Sequence, residues 1–341
     1  MSVVKADLDW SNLPFMYVKT DKNVRYHYKN GSWGAPEICE EDMLSINIAA
    51  PALHYGQQGF EGLKAFETRD GRVVCFRPDE NAKRMNRTNS RINMPEIPEE
   101  IFISAVETVI RENIRFVPPY GTGASLYLRP LMIGVGPKVG LGPADEYIFL
   151  VFATPVGPYY KGGFKPVDAI IVEGFDRAAP HGVGDCKVGG NYAAGLPGSK
   201  FVKEQGCAVG LYLDPQHNRY IDEFSTSNFI GIKGSSYITP KSPSILPSIT
   251  NKSLATIAQD MGMLVESRQV EISEVEGFDE VGAVGTAAVI TPVHSIKYGD
   301  KILTFGEKDS AGPVLTKLYE TLTKIQTGEI EDKHRWLLEI L

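Results

Sequence analysis

The sequence predicts an α+β protein of two domains, and three observations carry that expectation. Its 341 residues exceed what one small hydrophobic core organises. Strand-like and helix-like stretches mix in both halves without the strict β-α-β alternation of a doubly wound parallel sheet. Between apolar strands, "PVGPYYKGGFKP" at residues 155–166 holds three prolines and three glycines, the composition of an interdomain connection. The expected division is a smaller N-terminal α/β domain at 1–156, an interdomain loop at 157–167 and a larger C-terminal domain at 168–341.

In the first half, "RYHYKNGSWG" and "MLSINIA" read as strand pieces rich in aromatic or β-branched residues. "LKAFETRDGRVVCFRP" reads as a hairpin turning at Asp70-Gly71. After Pro78, "DENAKRMNRTNSRIN" has the acidic start that suits the positive end of a helix dipole. "PEEIFISAVETVIRENIRF" places Phe102, Ala105, Val106, Val109 and Ile110 at helical spacing and stops at Pro118-Pro119. "ASLYLRPLMIG" and "YIFLVFATPVG" then read as buried strands.

The second half restarts with the strand "VDAIIVEG" and continues through a glycine-rich stretch into a helix at "AAGLPGSKFVKEQG". A strand pair follows at "AVGLYLDPQHNRYIDEF". "NKSLATIAQDMGM" and "AGPVLTKLYETLTKIQTG" are helices, the second with Leu315, Leu318, Tyr319, Leu322 and Ile325 on one face.

Composition narrows the function classes. The chain is 43% hydrophobic and 23% charged, the values of an ordinary globular protein. A net charge of −7 argues against nucleic acid as the main partner, because phosphate backbones call for a basic face. Cys39, Cys75, Cys186 and Cys207 form no C-x-x-C pair and no zinc spacing with histidine. The opening "MSVVKADLDWSNLPF" lacks an apolar signal core, and no apolar run has membrane-spanning length. The expectation is a cytoplasmic protein with free thiols, no metal, no membrane and no nucleic acid.

"GVGDCKVGGNYAAG", residues 182–195, sets Lys187 among glycines. The P-loop pattern fails because Val188 stands where a hydroxyl is required. The G-x-G-x-x-G pattern fails because Lys187 takes the third glycine's place. What remains is a surface loop lysine or a reactive amine, since glycines let a flat ring approach and a desolvated lysine becomes a nucleophile.

A pyridoxal phosphate site needs an amine, a carboxylate for the pyridine nitrogen, phosphate donors and a partner for the phenolic oxygen. Tyr192 is a candidate phenol partner, five residues after Lys187. Glu223 in "RYIDEFSTSNFIGI" ends a strand, as either the carboxylate or an exposed acid. "SILPSITNKSLATIA" feeds a helix whose first amides, at Ile249, Thr250 and Asn251, suit an anion, as at any helix start. Gly285, Thr286 and Ala287 form a turn of small residues. In "SLYLRP", Tyr127 and Arg129 share one strand face. An arginine there meets either a carboxylate substrate or an internal salt bridge. Tyr55 and Phe60 in "HYGQQGFEGLKAF" are a substrate wall or core.

These segments, with "TPVGPYY" and "VGTAAVITPV", occur in the order found in branched-chain amino acid aminotransferases, and the chain resembles that family from Phe15 to its C-terminal helix. The resemblance implies the two-domain fold of the fold-type IV pyridoxal phosphate enzymes, like D-amino acid aminotransferase. It implies reversible ping-pong transfer of the amino group of leucine, isoleucine or valine to 2-oxoglutarate, giving the branched 2-oxo acid and glutamate. Lys187 would bond the cofactor's aldehyde carbon and then move the substrate's α-proton. Tyr192 would hydrogen-bond the phenolic oxygen and Glu223 the pyridine nitrogen. Arg84, the amides of Ile249 and Thr250, and Thr286 would hold the phosphate. Tyr127 with the amides of Thr286 and Ala287 would take the α-carboxylate, and Arg129 the side-chain carboxylate of glutamate. Phe15, Phe60 and Tyr159 resemble the aromatic wall. Tyr55, Val139 and Leu141 would act across the interface of a homodimer or higher oligomer.

One departure stands out. Mammalian members carry a redox-sensitive cysteine pair after the Gly-Thr-Ala turn, where this chain has Ala288 and Thr291. Thiol regulation of that kind is therefore not expected. The nearest rivals are a D-amino acid aminotransferase or a 4-amino-4-deoxychorismate lyase, which lack the combination of "SLYLRP" with "HYGQQGFEGLKAF".

Overall fold

A computed structural model describes residues 4–159 and 163–341, so residues 160–162 of the expected interdomain loop lie outside the described residues. The chain divides into two compact units. The first comprises Met1–Tyr159, Cys186–Gly189 and Ile325–Leu341, and the second Tyr160–Asp185 and Gly190–Lys324. The short piece around Lys187 and the C-terminal segment thus belong with the N-terminal half.

The N-terminal half runs β1 (Asn23–Lys29), β2 (Ser32–Trp33), β3 (Glu37–Cys39), α1 (Pro51–His54), β4 (Gln58–Phe60), β5 (Leu63–Glu67), β6 (Val73–Phe76), α2 (Pro78–Arg91), α3 (Glu99–Glu112), β7 (Ser125–Gly134) and β8 (Tyr147–Val156). The C-terminal half runs β9 (Val167–Ile171), α4 (Gly189–Ala194), α5 (Leu196–Glu204), β10 (Val209–Leu213), β11 (Ile221–Phe224), β12 (Ser227–Lys233), β13 (Ser236–Pro240), α6 (Ile249–Asp260), β14 (Leu264–Arg268), β15 (Glu280–Gly285), β16 (Val289–Tyr298), β17 (Lys301–Thr304), α7 (Pro313–Gln326) and β18 (Leu337–Glu339).

The first unit is built on an antiparallel nine-stranded sheet with the path β18-β6-β5-β7-β8-β1-β2, to which β3 and β4 add through β1 and β7. Asn30 and Gly31 join β1 to β2 with φ of 52° and 81°, the positive pair that a two-residue hairpin turn requires. The five apolar positions of α3 predicted from spacing are all fully buried. Phe102 among them stacks on Phe149 of β8 at 5.7 Å. Alternation along β7 holds too: Leu126 and Leu128 are fully buried in the core while Tyr127 and Arg129 face the other way.

"MLSINIA" is not a strand. Residues 43–49 form no ladder, because the edge of β1 that a strand there would use is taken by β3, in register Asn23↔Cys39. Leu44 and Ile46 instead pack on Ile133, Ile148 and Leu150 as irregular chain. Apolar pattern alone does not make a strand when no partner edge is open.

The second unit holds a mixed nine-stranded sheet, β11-β10-β9-β16-β15-β12-β13-β14, with β17 on β16. Its parallel pairs, β9–β10, β9–β16 and β13–β14, sit among antiparallel ones, the mixture expected of α+β. Phe224, Phe229, Ile238 and Val281 are buried in its core. The four cysteines are free. No helix among the described residues is long and apolar enough to cross a membrane.

Phe102→Ala empties a fully buried aromatic site between α3 and β8. It is expected to destabilise the first unit by about 3–5 kcal/mol, read as a lower urea midpoint by circular dichroism.

Candidate active site

Lys187 is pinned by its backbone. Its N–H donates to Thr88 Oγ1 of α2 at 3.0 Å, and its carbonyl accepts from Phe60 N of β4 at 3.0 Å. Val188 bridges Gly59 in antiparallel fashion. Glycine is needed at 59, since a Cβ there would lie 2.9 Å from Thr88 Cγ2, the side chain that reaches Lys187. The amine lies 4.8 Å from the centre of the Phe60 ring. Burial, and then the charge of Arg84, pull it down to about 8, against the opposing pull of Glu61. At neutral pH roughly a tenth of such amines are uncharged, against a few in ten thousand for an ordinary lysine.

Behind it stands a buried ion pair. Arg84 of α2 donates to both oxygens of Glu61, Nε at 2.7 Å and an NH2 at 2.6 Å. Glu61 has no exposed surface and also accepts from Asn81 Nδ2 at 2.7 Å. Two of the five guanidinium N–H bonds therefore go to Glu61.

An aromatic and cationic cluster lies in the same unit. The Phe15 ring meets Tyr127 at 5.4 Å and Tyr159 at 5.2 Å, both edge-on. Arg129 stands 4.9 Å from the centre of the Phe60 ring and 5.3 Å from that of Tyr127. Its buried Nε meets no hydrogen-bond partner. The alternative of an internal salt bridge is thereby removed: Arg129 has no ion pair within the described residues. Gly62 leaves room for the Tyr127 hydroxyl, which a Cβ at that position would overlap. Lys64, opposite Tyr127 in the β5–β7 register, is a second buried amine lowered to about 8 by desolvation.

The second unit holds a polar network around Glu223, which is 4% exposed rather than an open strand end. Its Oε1 accepts from Leu246 N at 3.0 Å and pairs with Arg177 at 3.0 Å, and its Oε2 accepts from Asn228 Nδ2 at 2.8 Å. Asn228 Oδ1 accepts from Asn251 Nδ2 at 3.2 Å, and Asn251 Oδ1 accepts from the Tyr237 hydroxyl at 2.6 Å. The chain of bonds ends on α6, whose N-cap Ser248 accepts from Asn251 N at 3.2 Å. The amides of Ile249 and Thr250 meet no acceptor among the described residues and point out of the positive end of the helix. Thr286 and Ala287 occupy the turn from β15 to β16, followed by Val289 at φ 64°, a strained conformation for a buried β-branched residue. Tyr192 lies half-buried on α4.

Sequence reasoning thus named residues that fall into two groups: Lys187, Arg84, Phe15, Phe60, Tyr127, Arg129 and Tyr159 in the first unit, and Tyr192, Glu223, Ile249, Thr250, Thr286 and Ala287 in the second. Tyr55 stands apart from the aromatic cluster. It is 43% exposed and donates its hydroxyl to the carbonyl of Val139. Glu61, Lys64 and Arg177 went unnoticed. An acid and an amine inside the apolar run "GFEGLKAF" were signals available for the first two. Arg177 lies in an irregular loop with no pattern to mark it.

Comparison with known proteins decides the family: the model of amino-transferase class IV matches residues 58–296. The chain belongs to the class IV aminotransferases. Among similar class IV chains, branched-chain-amino-acid aminotransferase of Haemophilus influenzae is 47% identical, covering 98% of this chain and 99% of the relative. That of Helicobacter pylori is 47% identical over 98% of each. The solved structure of Escherichia coli branched-chain amino acid aminotransferase superposes with a TM-score of 0.79 at 29% identity, covering 95% of this chain and all of that one. A T.th. branched-chain amino acid aminotransferase complexed with N-(5'-phosphopyridoxyl)-L-glutamate gives 0.79 at 26% identity, with 95% and 100% covered.

Class IV aminotransferases depend on pyridoxal phosphate, and this chain's donor set suits that group. Among the described residues, a buried carboxylate keeps an acceptor position open on Oε2, a helix start has two bare amides, and a buried amine is partly uncharged at neutral pH.

In the cofactor-free full chain, labelling of Lys187 by an amine reagent should follow pH with a midpoint near 8. Glu61→Gln removes the acid that favours the protonated amine, so the midpoint should fall further. Mass spectrometry of the labelled peptide gives both curves.

Proposed function

We propose that this protein transfers the amino group of leucine, isoleucine or valine to 2-oxoglutarate, reversibly, through its bound pyridoxal phosphate. The observation that carries the substrate pair is Arg129 with its buried Nε unpartnered, set against the rings of Phe60 and Tyr127. Aromatic rings accept branched carbons, and a guanidinium among them accepts the second carboxylate of 2-oxoglutarate or glutamate. One methylene changes discrimination by only about 1–3 kcal/mol, so the three branched residues should be accepted with similar efficiency. The near full-length likeness to curated branched-chain enzymes supports the same reading.

When bound, pyridoxal phosphate takes the amino group on its aldehyde carbon and draws electrons from the substrate's α-carbon. Lys187 would hold that carbon at rest and, once displaced by the substrate's amine, carry the α-proton on Nζ. Its lowered proton affinity suits both tasks. Tyr192 would hydrogen-bond the phenolic oxygen and Glu223 the pyridine nitrogen. Arg84, Thr286 and the amides of Ile249 and Thr250 would hold the phosphate, with Glu61 fixing the plane of the Arg84 fork. Tyr127 with the amides of Thr286 and Ala287 would take the α-carboxylate, while Phe15, Phe60 and Tyr159 wall the side chain.

A second copy of the chain would complete the arrangement. Val139 and Leu141 are 83% and 87% exposed, the Val139 carbonyl accepts from the Tyr55 hydroxyl, and a homodimer or higher oligomer would cover these apolar side chains.

The purified protein should carry a visible absorption band from its cofactor, and leucine should convert that band. Lys187→Ala should lack it; a wild type without bound cofactor would sink the proposal. Arg129→Gln should raise KM for 2-oxoglutarate at least about tenfold while that for leucine changes little, as expected when a charged partner is lost.

A further inference from the structure

The loop between β9 and α4 sends one guanidinium into the Glu223 network, and no step above uses it. Arg177 is 10% exposed at its side chain and pairs with Glu223 Oε1 at 3.0 Å. Its NH2 also donates to the carbonyl of Gly184, at 3.2 Å, and to that of Ser244. Glycine is required at 184, because a Cβ there would lie 2.8 Å from that NH2 and 2.6 Å from Ala178 Cβ. One side chain thus joins the strand carrying Glu223, the loop leading to Lys187 and the loop leading to α6.

A carboxylate offers four acceptor positions. Leu246 N–H fills one on Oε1 and Asn228 Nδ2–H one on Oε2, while the Arg177 guanidinium stands 3.0 Å from Oε1 as an ion-pair partner. We propose that Arg177 is the positioning residue that keeps Glu223 an anion and, by drawing Oε1 to itself, leaves the open acceptor position of Oε2 for the protonated nitrogen of the cofactor ring. This rests on the cofactor reading given above.

The charges around Glu223 make the arginine necessary. Burial pushes the carboxyl up, and Asp222 beside it on β11 adds to that push, while Arg177 pulls it back. Asp222 is 1% exposed and is held by the Ser244 hydroxyl at 2.7 Å, which in turn meets Ser242 Oγ at 2.6 Å. Arg177 also pulls down the Tyr212 hydroxyl on β10, against the burial that raises it. Without the guanidinium, Glu223 would stay buried with no ion-pair partner among the described residues, and it would take up a proton. A protonated Glu223 cannot keep the ring nitrogen charged, so the electron sink would weaken.

The test is infrared difference spectroscopy of the full-length chain without added cofactor, using Glu223→Gln to assign the Glu223 carboxyl band. Wild type should show an ionised carboxylate at neutral pH. Arg177→Gln should move its titration up by about one to three pH units, giving a protonated carboxyl at neutral pH. Arg177→Lys, which keeps the charge, should restore the carboxylate. In holoenzyme, Arg177→Gln should lower kcat with KM for leucine little changed, and the pH profile should shift as the infrared titration does. An ionised Glu223 with an unaltered pH profile in Arg177→Gln would overturn the proposal. Should that variant not fold, a protonated Glu223 in Arg177→Lys at neutral pH overturns it instead. Because the infrared readout needs no cofactor, failure here is distinct from a wild type that binds none.

Discussion

Withdrawing one amine from water without trapping a charge beside it is the constraint on which the first unit turns. Lys187 loses proton affinity chiefly by desolvation, and the Arg84–Glu61 pair behind it is nearly neutral as a pair. Either partner alone would tilt the amine strongly, and a lone Glu61 with no exposed surface would be an uncompensated buried charge. The pairing explains why an acid sits in an otherwise apolar run, and why Asn81 adds a further donor to it. Holding the amine there requires the backbone bonds to Thr88 and Phe60, which need Gly59 to bring β4 and α2 together.

The two units solve different electrostatic problems. The first gathers cations, Lys187, Lys64, Arg84 and Arg129, against aromatic faces and a single buried acid. The second gathers amides, hydroxyls and two acids, Asp222 held by the Ser244 hydroxyl and Glu223 paired with Arg177. In each unit a glycine makes room for a polar side chain against the backbone: Gly62 under the Tyr127 hydroxyl, and Gly184 under Arg177. Glycine density near Lys187 therefore reflects close approach of protein groups at least as much as room for a ligand.

Periodicity made most elements legible. The α3 face, the β7 alternation and the Asp70-Gly71 hairpin follow from local rules, and each appears as read. "MLSINIA" failed because strand formation depends on an open edge, a property of the whole sheet. Among site residues, those lying in long motifs were found. Those whose meaning is a partner distant in sequence, Glu61 for Arg84 and Arg177 for Glu223, were not.

By itself the sequence determined the α+β class, the family and the residue types able to bind pyridoxal phosphate, because these follow from short-range spacing and from motifs in fixed order. Only the tertiary structure decided that Glu223 is buried with two hydrogen bonds and an arginine against it, that Arg129 meets no anion among the described residues and that the piece around Lys187 belongs with β4 and α2. Those outcomes are settled by which groups lose their water and what replaces it. That depends on contacts between residues tens to hundreds of positions apart, for which no local pattern exists.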